Sequence, residues 1–339
     1  KEIPNSGDYK AIEALGVPVL IVRNSKNEVK AYLNACIHRG AALVEEGIGN
    51  KKRFSCPYHG WTYNEDGSLM GITSQQDFGN LEKNCNSLIS LPVLEKAGII
   101  WVILNSESNI DMEKFLSGYD EMLDLFDLKN WHVFSTRVLK GPNWKVAYDG
   151  YLDLYHLPVL HSETFGKEIS NQANYYEWGP HQRVVSPFAR ISSSEQGGVL
   201  EGDPNVQIED WPMDMLMAGV WTIFPNVSIA SFRGGGRSIM LSQLMPGETP
   251  EESYTTQYYL MENEPTKEQE IEAEKQFDLL EYVVREEDYS TGIKLQKGLK
   301  TGMIKNVMFG KNEGGGQCFH GWVDKILNTS DKKLPSLFD

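Results

Sequence analysis

The stretch that decides the reading runs from residue 36 to residue 61. It opens with Cys36-Ile37-His38-Arg39-Gly40 and closes with Cys56-Pro57-Tyr58-His59-Gly60-Trp61. The pattern is C-x-H, a gap of 17 residues, then C-x-x-H. Each half offers one thiolate and one imidazole from a tight loop containing glycine. Two Cys on one iron and two His on the other form the ligand set of a [2Fe–2S] cluster with mixed ligation. Zinc also takes Cys₂His₂ sets. Zinc fingers, however, pair Cys with Cys and His with His rather than repeating Cys–His twice. Cys36, His38, Cys56 and His59 are therefore the candidate cluster ligands.

Outward from this stretch, residues 1–107 read as β-rich. The short apolar runs VPVLIV, SLISLPVL and AGIIWVIL are separated by turn signals at Asn24-Ser25, Gly47-Ile48-Gly49 and Glu65-Asp66-Gly67. The strand pattern stops at the polar stretch NSESN, residues 105–109. This divides the chain into a cluster domain, 1–107, and a second domain, 108–339. Four Cys in 339 residues are too few for a disulfide scaffold. The two outside the motif, Cys85 and Cys318, are expected as free thiols.

The second domain mixes patterns. Residues 111–127 and 144–157 have helical spacing, and 265–300 reads as one long helix after Glu264-Pro265. Residues 177–245 read as antiparallel strands, with hairpin signals at Gly197-Gly198 and Gly234-Gly235-Gly236. The triple glycines at 234–236 and 314–316 lack the flanking strand and helix of a phosphate loop, so both are expected as plain turns.

A second constellation lies in NWKVAYDGYLDLYHLPVLH, residues 143–161. His156 and His161 are five apart, which on an unbroken helix puts them on different faces. Pro158 between them is expected to end the helix near His156, so that the next turn brings His161 back to the same metal. Asp153 falls three residues before His156 and Asp149 one turn earlier. Two His and one carboxylate with open positions make the facial triad of non-haem Fe(II) oxygenases. A di-iron bundle needs two acid-x-x-His elements, and the sequence has this one alone. The third ligand must come from the late helix. Phe277, Leu280, Val284, Thr291 and Leu295 form its expected inward stripe. Asp288 falls in that stripe and Glu287 is nearly as well placed, so periodicity does not choose between them.

With these residues in view, the chain resembles the α subunits of Rieske non-haem iron oxygenases, the family of aromatic-ring-hydroxylating dioxygenases. HRGA, CPYHGW, NWK with Y-H-x₄-H, the pair Glu287-Asp288 and the late segment FGKNEGGGQCFHGW carry the resemblance, which spans most of the chain. It implies that Asp288 rather than Glu287 binds iron with His156 and His161. It implies that Asp153 orients His156 and bridges to a cluster histidine, His59, of a neighbouring subunit in a ring of three. It implies electrons from NADH, delivered by a reductase or a ferredoxin, and O₂ as co-substrate at the mononuclear Fe(II). The expected assembly is a homotrimer or an α₃β₃ complex. The position four before Asp153 is often Asn in the family and is Asp149 here, which alters the charge expected near the iron. Respiratory Rieske proteins carry two further Cys and a Ser hydrogen-bonded to the cluster. Ala41, Tyr58 and Trp61 stand at those positions, so a potential toward the low end of the Rieske range, roughly −150 mV, is expected.

The implied fold is α+β. An antiparallel β Rieske domain precedes a catalytic domain of helix-grip type, an antiparallel sheet with helices over one face. Trp221, Phe224 and Met215 are candidates for the lining of its pocket. His132 and His181 read as surface or structural residues, and His320 has no role derivable from its position. A formal net charge of −15 argues against a nucleic-acid surface. No apolar run approaches the roughly 20 residues that span a bilayer. The polar start shows no apolar signal core, so a cytoplasmic location is expected. Aromatic cis-dihydroxylation is the first expectation for the reaction. Monooxygenation or oxidative demethylation of a methylamine, quaternary amine or methoxy compound is the alternative, and a pure Rieske electron carrier is a third.

Overall fold

The computed structural model describes residues 2–79, 81, 86–166, 170–186 and 213–339. They form two compact units, Lys1–Met112 and Glu113–Asp339. Cys85, the Gly197-Gly198 signal and the side chain of Met215 lie outside the described residues.

The first unit is built on strand Val17–Arg23, at the centre of a five-stranded antiparallel sheet. Its unbroken apolar run is explained by burial on both faces. Leu20 and Val22 pack with Tyr32, Phe54, Trp61 and Tyr63, while Val19 and Ile21 pack with Ile3, Ala31 and Leu91. A three-stranded sheet follows, Arg53–Ser55, Thr62–Asn64 and Leu69–Gly71. The first cysteine loop leaves strand Val29–Leu33, and the second is the turn between Arg53–Ser55 and Thr62–Asn64.

The second unit carries a seven-stranded antiparallel sheet in the order 132–141, 253–261, 238–246, 227–232, 220–223, 181–185 and 174–178. One face packs against helices. Tyr148, Phe277, Leu280, Val284 and Phe319 meet Met240, Leu244 and Tyr259 of the strands. Trp221 points to the opposite face, against Tyr119 and Phe126. It is core, not pocket lining, whereas Phe224 packs against Phe319 on the helical side.

Three local expectations are corrected. The 144–157 segment is not one helix. Trp144–Asp149 ends at Gly150, and a separate four-residue helix, Leu157–Leu160, follows. The break comes from Asp153, whose carboxylate takes the backbone N–H groups of Tyr155 and His156 (2.6 and 3.2 Å) and so competes with helical bonding. Pro158 does not end a helix; it sits in the first turn of the new one, where a missing N–H costs nothing. The 314–316 glycines are not a turn but open helix Gly314–Leu327. A Cβ on Gly315 would lie 2.1 Å from the Leu152 carbonyl oxygen, so glycine there is a matter of close approach. Gly235, by contrast, does turn the chain between Val227–Phe232 and Ser238–Pro246, at φ +77°.

The late helix also departs from the expected stripe. Lys267–Tyr282 and Ser290–Lys300 are α-helical, but Val283–Tyr289 between them is a π-helix. Its wider i→i+5 turn shifts the phase of the buried face. Phe277, Leu280 and Val284 are buried as expected, whereas Thr291 and Leu295 are exposed and Tyr289 and Gly292 are buried instead.

Candidate functional site

The two cysteine loops of the first unit are built alike. Cys36 N–H donates to the Ala41 carbonyl and Gly40 N–H to the Cys36 carbonyl, at 2.8 and 2.7 Å. Cys56, Trp61 and Gly60 repeat the pattern at 2.8 and 2.9 Å. Gly40 and Gly60 sit at φ +76° and +72°, a conformation that other residues rarely adopt. The loops bring the rings of His38 and His59 to 4.6 Å between centroids. Both Nδ1 atoms are buried without a hydrogen-bond partner. Cys36 and Cys56 are buried as well. Burial pushes the Cys36 thiol up, the Tyr63 hydroxyl pulls against it, and neighbouring Cys56 raises it further. Buried ring nitrogens without a partner are costly unless something binds them, and the two thiols lie in the same pocket. The donor set fits a [2Fe–2S] cluster held by two thiolates and two imidazoles.

Sequence reading missed Tyr63. Its hydroxyl accepts from Ile37 N–H at 3.2 Å and lies 3.3 Å from Cys36 Sγ. With the oxygen accepting from Ile37, the proton is free to point at the sulfur. The alternation of the short strand after Trp61 was the only signal for it. Trp61 stacks on His38 (4.9 Å, 3°) and Tyr58 lies over His59 (3.7 Å, 36°).

In the second unit, His156, His161 and Asp288 converge. One donor atom from each lies within 4.8 Å of the others. Asp288 Oδ1 is 3.1 Å from His161 Nε2 and 3.8 Å from His156 Nε2, yet it is buried and closes no hydrogen bond of normal geometry. Two ring nitrogens facing one unsatisfied carboxylate oxygen fit a divalent metal ion. His156 and His161 flank the short helix Leu157–Leu160, and the π-helix presents Asp288.

The outer nitrogens of the two imidazoles are also taken by carboxylates. Asp153 Oδ1 lies 3.0 Å from His156 Nδ1, and Glu287 Oε2 lies 2.6 Å from His161 Nδ1. The Thr164 hydroxyl donates to Glu287 at 2.9 Å. Burial works against charge on His161, but Asp288 and then Glu287 outweigh it and raise its pKa. Glu287, which the sequence offered as a spare alternative to Asp288, thus holds the far side of the same ring.

Asp149 does not join the metal group. It pairs with His320, Oδ1 to Nε2 2.8 Å. Cys318 is half-buried near Glu177, and burial pushes its thiol up to about 12. His181 is fully buried and structural. One ring nitrogen donates to the Phe115 carbonyl (3.0 Å), and the other accepts from Phe224 N–H (3.2 Å).

The helix-facing side of the sheet carries a polar row. Cross-strand register places Arg137, Gln257, Ser242, Ser228, Thr222 and Gln182 in one line across six strands. Ser228, Ser242 and Gln257 are completely buried, and Ser228 Oγ, Ser242 Oγ and Gln257 Nε2 have no hydrogen-bond partner. The Tyr151 hydroxyl lies near Ser242, Gln257 and Tyr289 without a bond of normal geometry. Burial, and then the charge of Asp288, push it up.

Residues 1–89 match the Rieske [2Fe-2S] domain, and residues 128–329 match the ring hydroxylating alpha subunit (catalytic domain). The chain belongs to the Rieske ring-hydroxylating α-subunit family. Its cofactors are a Rieske [2Fe–2S] cluster and a mononuclear iron, and its co-substrate is O₂. The chain is 28% identical over 309 residues to the carnitine monooxygenase oxygenase subunit of Acinetobacter baumannii, covering 88% of this chain and 77% of that one. It is 30% identical over 168 residues to the anthranilate 1,2-dioxygenase large subunit of Acinetobacter baylyi, covering 47% of this chain and 36% of that one. Among solved structures, the quaternary ammonium Rieske monooxygenase CntA with L-carnitine superposes at TM-score 0.74 and 21% identity, covering 96% and 86% of the two chains. Naphthalene 1,2-dioxygenase from Rhodococcus sp. bound to indole superposes at 0.73 with the same identity and coverage. As a Rieske oxygenase the chain takes electrons from a reductase and acts on a small molecule. Among the described residues, no helix is long and apolar enough to cross a membrane.

Proposed function

We propose that this chain is a terminal oxygenase component that oxidises a small polar amine, by monooxygenation or oxidative demethylation of an N-methyl group. The polar row carries the choice of substrate class. The sheet wall beside Tyr151 and Asp288 presents hydroxyl and amide groups, where a hydrocarbon pocket needs apolar lining. The relatives that align over 88% of the chain are named for carnitine, in the same direction. Aromatic dihydroxylation is the second reading, favoured by the anthranilate dioxygenase relative.

When bound, the cluster supplies single electrons and the mononuclear iron supplies redox chemistry with O₂. Cys36, His38, Cys56 and His59 would hold the cluster, in a domain of residues 1–107. His156, His161 and Asp288 would hold the iron, in a domain of residues 108–339. Asp153 and Glu287 fix which nitrogen of each imidazole faces the metal. The second oxygen of Asp153 accepts nothing among the described residues. With His59 Nδ1 directed at the cluster, its Nε2 is left to donate. A bond from His59 of one copy to Asp153 of the next would join cluster to iron in a closed trimer.

The test is O₂ uptake with a reductase and NADH, and product mass, over carnitine, glycine betaine, anthranilate and naphthalene. Substrate-dependent uptake with loss of an N-methyl group, abolished in His156→Ala, is expected. A cis-diol from an aromatic substrate supports the second reading. Identical behaviour of wild type and His156→Ala leaves only electron carriage.

A further inference from the structure

The second unit holds a cavity of about 520 Å³ that contains no member of the metal group. Such a volume is typical of small-molecule sites. Its apolar wall is formed by Val146, Pro250, Leu299, Val307 and Phe309.

Its polar lining is almost entirely used up within the protein. Asn143 accepts from Lys145 N–H and donates to the Pro250 carbonyl, at 2.9 and 2.8 Å. Gln296 accepts from Asn143 N–H and donates to the Glu251 carbonyl, at 2.6 and 3.0 Å. Glu251 pairs with Lys300 at 2.6 Å, and Asp149 pairs with His320 at 2.8 Å. The Lys145 ammonium is the exception. Lys145 as a residue is half-buried, and its ammonium has no ion-pair or hydrogen-bond partner among the described residues. Both carboxylates of the lining are paired with the other two basic side chains there, Lys300 and His320, so the three donors of Lys145 are the one cationic function left open in the cavity.

We propose that this cavity is a second small-molecule site that takes a monocarboxylate with an apolar body, the carboxylate on Lys145 and the body against Leu299, Val146 and Phe309. A neutral alcohol or amide of the same shape leaves the ammonium unpaired. A dianion meets Asp149 and Glu251, and Lys300 is already paired with Glu251, so its second charge has no unpaired cation to receive it. A free amine places like charge against Lys145.

The experiment is calorimetric titration of the metal-loaded full chain with benzoate and with benzyl alcohol. Benzoate should bind at least about tenfold more tightly, the value of one charge-assisted hydrogen bond. Lys145→Met should remove that preference, Lys145→Arg should keep it, and Leu299→Trp should block both ligands by filling the chamber. Asp288→Ala should bind benzoate like wild type. No heat with millimolar benzoate overturns the proposal. So does benzoate binding that survives Lys145→Met and disappears in Asp288→Ala, since that places the ligand at the metal group.

Discussion

His161 and Glu287 meet at 2.6 Å, Nδ1 to Oε2, on the side of the imidazole away from Asp288. Two consecutive residues of one π-helical segment therefore hold opposite nitrogens of a single ring. Glu287→Ala should lower iron affinity about 10- to 100-fold, the usual cost of losing a partner behind a metal-binding histidine. Iron per chain after dialysis against a weak chelator measures it. The cluster absorption should not change. Full iron retention in that variant would show that Thr164 and packing alone orient His161.

Asp153→Asn should leave the cluster reducible and the mononuclear iron at least partly loaded. Electron transfer between them should fall sharply, because a neutral amide is a weaker acceptor for His59 of a neighbouring copy. Single-turnover kinetics with pre-reduced cluster reads this directly. A normal rate, or a fully active monomer, refutes the bridge.

Tyr63→Phe removes the hydroxyl that lies 3.3 Å from Cys36 Sγ. A hydrogen bond to a cluster ligand stabilises the reduced, more negative state. A neutral bond worth about 1 kcal/mol corresponds to some tens of millivolts for one electron. The potential should fall by that much, as seen by spectroelectrochemistry, with the cluster content unchanged.

His181 supplies a pH dependence. Burial lowers its pKa from 6.5 to about 4. Between those values the unfolded chain binds a proton that the folded chain does not. Stability is therefore full above pH 6.5, falls as pH drops toward 4, and loses about 3 kcal/mol in all from this group. Urea midpoints at several pH values check it. In His181→Gln the variant should be weaker at pH 7 but less sensitive to acid in that window.

Gly315→Ala places a methyl group 2.1 Å from the Leu152 carbonyl oxygen. Helix Gly314–Leu327 must then move off the segment that leads into Asp153 and His156. A loss of roughly 1–3 kcal/mol, the usual cost of overpacking, should be accompanied by weaker iron binding. A variant that melts and binds iron like wild type would show that the helix yields freely.

The sequence showed most clearly what is local in the chain. The cluster loops repeat one turn geometry within 26 residues, and spacing alone displays it. His156 and His161 were visible for the same reason, although the helix was expected to end at Pro158, whereas the break lies before His156, at Asp153, and Pro158 begins the next helix. What depends on non-local geometry was not legible. Thr291 and Leu295 were placed inside because 3.6-residue periodicity was carried through Val283–Tyr289, where the turn widens. The role of Glu287 depends on which edge of a distant ring it meets. Strands His132–Gly141 and Ser253–Met261 escaped notice because their inward positions are filled by Arg137, Ser253, Thr255 and Gln257 as much as by apolar residues. Asp149 was read from its neighbours in sequence, and its partner, His320, lies 171 residues away.

The separation of His161 from Glu287, 126 residues, also bears on how the protein is made. The residues that shape the cluster loops, out to Phe78, Leu88 and strand Ser90–Leu91, all precede His156 in synthesis. A nascent chain can close that pocket while the other remains unwritten. The imidazoles of His156 and His161 emerge next, with no carboxylate from the π-helix to meet them. Drawing such a span together costs roughly 4 kcal/mol of chain entropy, which packing of the completed sheet must offset. The two metal pockets therefore mature in order, cluster first and iron last. A chain stalled between positions 161 and 287 presents two unclaimed histidines to whatever divalent ion the cell offers.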